Sequence, residues 1–332
     1  MLRNICILRL SALGDVVNCL PSLRAIQKTY PQAKISWIIG KTEFELLKDI
    51  PKVNWIVIDK FKIFKARKQI KKLEKFDVVL HMQASLRASF LKTALKAKRS
   101  ICLDKERSKD CQHWFCGETI ATRKNAHTLE TYLDFAAKIG CDISKLSWDL
   151  DLAKIHDESK GLHLPKRFIA ISPCSSKKIR NWTKSGYADV CDYIINKYQI
   201  PCVLIGGKSE IESQYAQAIK SSVPEVINLI GKTSVRQMVA IIDRAEFLIA
   251  PDSGPAHIAT AVATKVIGLY ANTNPQRAAP YRSLPWLVNQ YPVAVKTYLK
   301  GKHKFGARVN HPQVMNLITS NMVKAVADKL LS

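Results

Sequence analysis

Apolar residues along the chain fall into short continuous runs separated by stretches with helical spacing. In the first half these runs cover residues 4–8, 34–39, 55–58, 78–80 and 100–103, while 21–30 and 43–48 carry helical periodicity. Short apolar runs alternating with helices predict βαβ units around a parallel sheet. From about residue 142 to 167 the pattern weakens and charge rises, which predicts a linker. The alternation then restarts, with strands expected at 168–172, 202–205, 226–228, 247–250 and 266–269. Helices are expected at 183–198, 210–220, 235–244, from Pro255 onward and at 320–331, the last with Met322, Val323, Val326 and Leu330 on one face.

A chain of 332 residues is too long for one ordinary core. The expected organisation is therefore α/β with two doubly wound halves, 1–155 and 156–332, the last helix being able to pack back on the first. Ligands of such sheets sit at the carboxyl ends of the strands, where helix N-termini point. Chemistry is therefore to be sought in the loops that follow strands.

Four such loops stand out. After the first strand comes Arg9-Leu10-Ser11-Ala12-Leu13-Gly14-Asp15, in which Gly14 permits a tight turn and Asp15 opens a helix near Val16. Asp15 can accept a proton from a hydroxyl or can simply cap its helix, and both readings stand. In the second half, Asp252-Ser253-Gly254-Pro255-Ala256-His257 follows an apolar strand, with Pro255 suited to a first helical turn. Amides at that N-terminus suit a diphosphate, although an unliganded cap is the competing reading. Ser172 to Trp182 sets Ser175, Ser176 and Arg180 behind another strand, where cations and hydroxyls suit phosphate oxygens. Gly206-Gly207-Lys208-Ser209-Glu210 is a strand-end turn carrying an acid that can reach a ribose hydroxyl. No P-loop and no GxGxxG occurs, and Asp149-Leu150-Asp151 spells a metal-binding DxD only inside the presumed linker.

Charge changes this picture. Lys and Arg number 52 against 27 Asp and Glu, a net charge of +25, which implies an anionic partner: nucleic acid, a phosphorylated glycolipid or a membrane surface. No helix-turn-helix, RNP or zinc-finger pattern is present, so no nucleic acid is expected. Lys60, Lys62, Lys65, Arg67, Lys68, Lys71, Lys72 and Lys75 crowd one stretch with Ile63, Ile70 and Leu73 as an apolar seam, and Lys92, Lys96, Lys98 and Arg99 form a second cluster. These are either solvated helix faces or a surface for an anionic membrane. No apolar run reaches the roughly 18 residues of a span, and the opening run, soon interrupted by Arg9, reads as a buried strand rather than a signal peptide. Nine cysteines without a CxxC pair suggest free thiols in a reducing compartment and no metal, hence a cytoplasmic chain.

Taken in order, these loops resemble the ADP-heptose–lipopolysaccharide heptosyltransferases, glycosyltransferase family nine. Arg9 to Val17 resembles that family's opening signature, Asp252 to His257 its nucleotide signature, and Phe76 to Leu80 with Gln83 its acceptor-side strand. The resemblance implies the GT-B fold: two facing Rossmann-like domains, with the carboxylate after Gly14 and the turn before His257 opposed across an interdomain cleft. It implies inverting, metal-independent transfer of heptose from ADP-heptose to Kdo of Kdo–lipid A, with Asp15 as general base and no cofactor. Another nucleotide sugar or a later inner-core acceptor is the alternative. On the donor side it implies Ser175, Ser176, Arg180 (where many members carry lysine), Glu210 with Glu212 nearby, Asp252, Ser253, Gly254 and His257. On the acceptor side it implies Ser11, Gly14, Arg87 and His127, with the enzyme peripheral at the cytoplasmic face of the inner membrane. Residues 281–289 and the basic tail to Arg308 resemble the heptosyltransferase I branch, whereas Tyr270 to Pro275 departs from the family's Gly-Pro-Thr form.

Overall fold

A computed structural model describes residues 2–301 and 303–332. It divides into two compact units, one through Leu150 and one from Asp151 onward.

The first unit is built on a six-stranded parallel sheet: β1 (Asn4–Leu8), β2 (Lys34–Gly40), β3 (Asn54–Ile58), β4 (Phe76–His81), β5 (Ala97–Cys102) and β6 (Glu118–Thr119), in spatial order β3-β2-β1-β4-β5-β6. Its helices are α1 (Leu13–Thr29), α2 (Lys41–Leu47), α3 (Ile63–Lys71), α4 (Leu86–Lys92) and α5 (Thr128–Lys138). Ile5, Cys6, Ile7 and Leu8 are all buried, as a central strand covered on both faces requires. Asp77 fixes the lower edge by accepting the Arg3 and Asn4 amides at 2.8 and 3.0 Å. Lys98, and then those amides, hold its carboxyl well below the usual range. Helix α1 starts at Leu13, three residues before the expected start, and runs through Pro21. Burial along Val16 to Leu23 supplies the packing that offsets the hydrogen bond Pro21 removes.

The second unit repeats the design. Its strands are β7 (Ile169–Ile171), β8 (Cys202–Leu204), β9 (Ile227–Asn228), β10 (Phe247–Pro251), β11 (Lys265–Tyr270) and β12 (Val288–Asn289), ordered β12-β11-β10-β7-β8-β9 and parallel throughout. Around them lie α6 (Leu152–Asp157), α7 (Lys184–Tyr198), α8 (Glu210–Ser222), α9 (Val235–Arg244), α10 (Gly254–Ala261), α11 (Pro275–Ala278), α12 (Tyr291–Tyr298) and α13 (Ser320–Leu331). Thr183, Ser209, Ser234 and Thr319 each accept a first-turn amide and so start α7, α8, α9 and α13.

Three expectations are corrected here. The boundary falls five residues before the expected 155, because α6 packs on α9, with His156 bonded to Asp243 at 2.7 Å. Helix α13 packs on α7, β11 and β12 and completes the core of the second unit. Its inner face is Val323, Val326, Ala327 and Leu330, while Met322 turns outward. The free-thiol expectation fails for Cys102 and Cys116, which form a disulfide with Cα atoms 5.9 Å apart. Cys102 ends β5, and the chain returns beside it as β6, a proximity that sequence spacing does not reveal. Among the described residues no helix is long and apolar enough to cross a membrane.

Candidate active site

Each sheet has one switch point, where the connections from two adjacent parallel strands lead to opposite sides of the sheet's strand order: β1 beside β4, and β7 beside β10. The four loops that follow these strands carry the polar groups of interest.

At the first switch point the chain after β1 is fixed from three sides. The Arg9 carbonyl accepts the Trp37 indole N–H at 3.0 Å, the Leu10 amide donates to Gln83 Oε1 at 2.7 Å, and Arg9 Nη1 donates to the Met82 carbonyl at 2.7 Å. Gly40 is required where β2 ends, because a Cβ there would lie 2.7 Å from the Leu10 carbonyl and 2.5 Å from Glu43 Oε2. Donors converge on Asp15, at the third position of α1. Arg9 Nη2 lies 2.6 Å from Oδ2, the Ala12 amide donates to Oδ2 at 3.2 Å, and the Tyr132 hydroxyl donates to Oδ1 at 2.9 Å. Burial opposes the Arg9 cation, but Asp15 beside it more than compensates and the guanidinium is held above its ordinary range. Burial pushes the Tyr132 phenol well up, so it remains a protonated donor. Asp15 therefore closes its helix and also forms the centre of a charged cluster, keeping 34% of its side chain exposed. That combination suits a carboxylate that meets a ligand.

The other first-unit candidates divide. Ser11 lies in the loop before α1, and Gly14 lies in the first turn of α1 directly before Asp15. His127 is buried and caps α5, accepting the Leu129 amide on Nδ1 at 3.1 Å, and α5 brings Tyr132 to Asp15. Arg87 lies instead on the exposed face of α4, over the Phe61 ring at 5.9 Å.

At the second switch point Asp252 is held by the loop that follows β7. Arg180 Nη1 reaches Asp252 Oδ2 at 3.0 Å and the Asp252 carbonyl at 3.2 Å, and the Ser175 hydroxyl donates to that carbonyl at 2.9 Å. His257 Nε2 lies 4.0 Å from Asp252 Oδ1, one turn into α10. Ser253 is the N-cap of α10, yet its hydroxyl makes no capping bond. Three buried donors beside one another in sequence or space have no hydrogen-bond partner among the described residues: Ser253 Oγ, Arg180 Nε and Asn181 Nδ2. Orphaned buried donors cost stability unless something satisfies them, and an anion with several oxygens at a helix N-terminus would do so. Ser176 sits on the exposed rim of this loop. Burial, then the Glu212 charge, pushes the Cys174 thiol up to about 12, which keeps it protonated and unreactive.

In the loop after β8 the acid that closes the turn is Glu212, not Glu210. Glu212 accepts the Gly207 amide at 2.6 Å and the Ser209 hydroxyl at 2.5 Å, while Glu210 is exposed and pairs with Gln214. The stretch that departs from Gly-Pro-Thr acts as a clamp on the returning chain: Asn272 Nδ2 donates to the Val309 carbonyl at 2.8 Å and Asn274 Nδ2 to the Phe305 carbonyl at 2.9 Å. In the DxD, Asp149 pairs with Arg24 and Asp151 caps α6, so both carboxylates have structural partners.

Comparison with known proteins decides the family. The model of glycosyltransferase family 9 (heptosyltransferase) matches residues 63–302. The chain is 37% identical over 298 residues to the lipopolysaccharide core heptosyltransferase OpsX of Haemophilus influenzae, covering 87% of this chain and 85% of that protein. The chain belongs to glycosyltransferase family 9. Its fold is that of solved heptosyltransferases: E. coli heptosyltransferase WaaC with ADP superposes with a TM-score of 0.76 at 16% identity, over 98% of this chain and 99% of that one. A family 9 glycosyltransferase from Veillonella parvula gives 0.77 at 21% identity, over 99% and 97%. This heptosyltransferase is thus a GT-B protein of two Rossmann-like units. Two residues of its polar clusters escape sequence reasoning. Tyr132 lies 117 residues from Asp15 and no local motif announces it. Asn181 directly follows Arg180 in an already suspect loop, and that adjacency was the available signal.

Proposed function

We propose that this heptosyltransferase moves heptose from ADP-heptose onto a Kdo residue of Kdo–lipid A, with inversion and without a metal. The second unit holds the donor and the first holds the acceptor. The observation that carries this reading is the set of unpartnered donors Ser253 Oγ, Arg180 Nε and Asn181 Nδ2 at the β7–β10 switch point. They match the oxygen-rich diphosphate of a nucleotide sugar, and the relatives are heptosyltransferases by name. Arg180 can take the diphosphate while Asp252, fixed by Arg180, accepts hydroxyls of the heptose. Glu212, already in the turn after β8, is better placed than Glu210 to meet the nucleoside.

Asp15 acts as general base in this scheme. The acceptor hydroxyl attacks the anomeric carbon, its proton passes to Asp15, and the bond to the diphosphate breaks on the opposite face, which inverts the centre. The donors that hold the ionised Asp15 compete with the incoming proton, so proton transfer is late and concerted with attack. Arg180 and the α10 amides stabilise the charge growing on ADP. A net charge of +25 favours an anionic surface, so the enzyme works as a peripheral protein at the cytoplasmic face of the inner membrane. Purified protein incubated with ADP-heptose, Kdo–lipid A and EDTA should yield an acceptor heavier by one heptose. No increment with this pair, but transfer from another nucleotide sugar, would move the assignment to the alternative donor. Transfer only after a divalent metal is restored would remove the metal-independent mechanism.

A further inference from the structure

The basic stretch predicted to carry an apolar seam does so on its inner side: Ile70 is buried, and Ile63 and Leu73 pack on the core of the first unit. The outward apolar surface is a different one. Phe61 is 81% exposed, Phe64 77% and Leu86 62%, with Phe90 beside them. The Phe64 and Phe90 rings meet edge-to-face at 5.8 Å, which joins the first turn of α3 to α4 in one patch. Cations frame it. Arg67 stacks over Phe90 at 4.5 Å and donates to its carbonyl at 2.7 Å, while Lys60 and Arg87 lie 6.0 and 5.9 Å from the centroid of Phe61. Lys62, Lys65 and Lys68 are exposed around the same rim.

Exposed aromatic side chains gathered into a patch mark an interaction surface. Here the patch combines apolar rings with a ring of cations, and the acids that touch it are already engaged. Glu43 pairs with Lys60 at 3.4 Å, while Asp59 and Asp110 accept the Phe61 and Leu86 amides at 2.9 and 3.3 Å. That combination complements a phospholipid surface, where rings enter the acyl boundary and Lys or Arg remain among anionic headgroups. Glu43 also ties the patch to the acceptor side, since its carboxylate lies against Gly40, whose amide donates to the Leu10 carbonyl of the Asp15 loop at 3.0 Å.

We propose that Phe61, Phe64, Leu86 and Phe90 form a wedge that inserts into an anionic bilayer, so that the enzyme is anchored by burial of apolar surface as well as by charge. The proposal rests on the reading that the first unit takes a lipid-linked acceptor, but its test does not use catalysis. Full-length protein is sedimented with phosphatidylglycerol/phosphatidylcholine vesicles at low and at high salt, alongside a Phe61→Ser/Phe64→Ser variant. Both positions are exposed, so the variant should fold, and an unchanged thermal melt verifies it. The wild type should bind at both salt levels, more weakly at high salt, and the variant should bind at least tenfold more weakly at each. In Phe64→Trp, the fluorescence added over wild type should shift blue on vesicles and be quenched by brominated lipid. Equal binding by wild type and variant, an unshifted signal from the introduced indole, or a wild-type dimer that the variant dissolves would each overturn the wedge. Insertion without heptose transfer would sink the functional reading alone, and transfer without insertion would sink this one alone.

Discussion

Asp15 accepts from a guanidinium, a phenol and a backbone amide, and those three donors fix where its oxygens point. An amide in its place keeps the size of the group but cannot take a proton. Asp15→Asn should therefore lower kcat by about 10²–10⁴ while leaving the dissociation constant for ADP within about twofold, since the proposed donor groups lie in the other unit. Single-turnover kinetics together with calorimetric titration of ADP would read both quantities. Near-normal turnover would remove Asp15 as base, whereas lost ADP binding would show that the substitution acts beyond the acceptor loop. The motif announced Asp15 and the Arg9 beside it, because helix N-termini after strands are short-range patterns. It said nothing of Tyr132, whose approach depends on α5 packing against α1.

At the scale of elements, β4 ends on a buried histidine. His81 bonds to the Ser89 hydroxyl through Nε2 at 3.1 Å, and its carbonyl accepts from Gln112 at 2.6 Å. Burial, with smaller contributions from Lys92 and Arg9, lowers His81 from 6.5 to about 3. Below pH 6.5 the unfolded chain gains a proton that the folded chain refuses. The stability owed to His81 is thus complete above 6.5 and declines as pH falls from 6.5 toward 3, by about 2 kcal/mol at pH 5. Urea unfolding at pH 7.5 and pH 5 should show a smaller loss in His81→Gln, and the same loss in both proteins would refute the assignment. Strands and helices of this kind were legible because a parallel sheet covered on both faces leaves unbroken apolar runs. The start of α1 was not, because Pro21 and Gly14 are local helix breakers that only burial overrides. The outward turn of Met322 was equally hidden, since Ala327, too small to look like a core residue, takes the inner position.

Across the whole molecule, two complete cores and two repeated strand orders separate the chain into halves that can be interrogated singly. Hydrogen exchange with and without ADP should show protection gained over residues 172–182 and 250–258, where the unpartnered donors lie. Protection confined to residues 9–15 would reverse the assignment of donor and acceptor. Charge alone could not have located either ligand, because a net +25 spread over the sequence is compatible with several anions. The repetition of one strand order has an evolutionary corollary. Each half closes its own loops with its own neighbours, such as Gln83 for Leu10 and Ser175 for Asp252, so mutations that retune one pocket leave the foundations of the other undisturbed. A lineage built this way can change the sugar chain it extends without relearning how to grip a nucleotide.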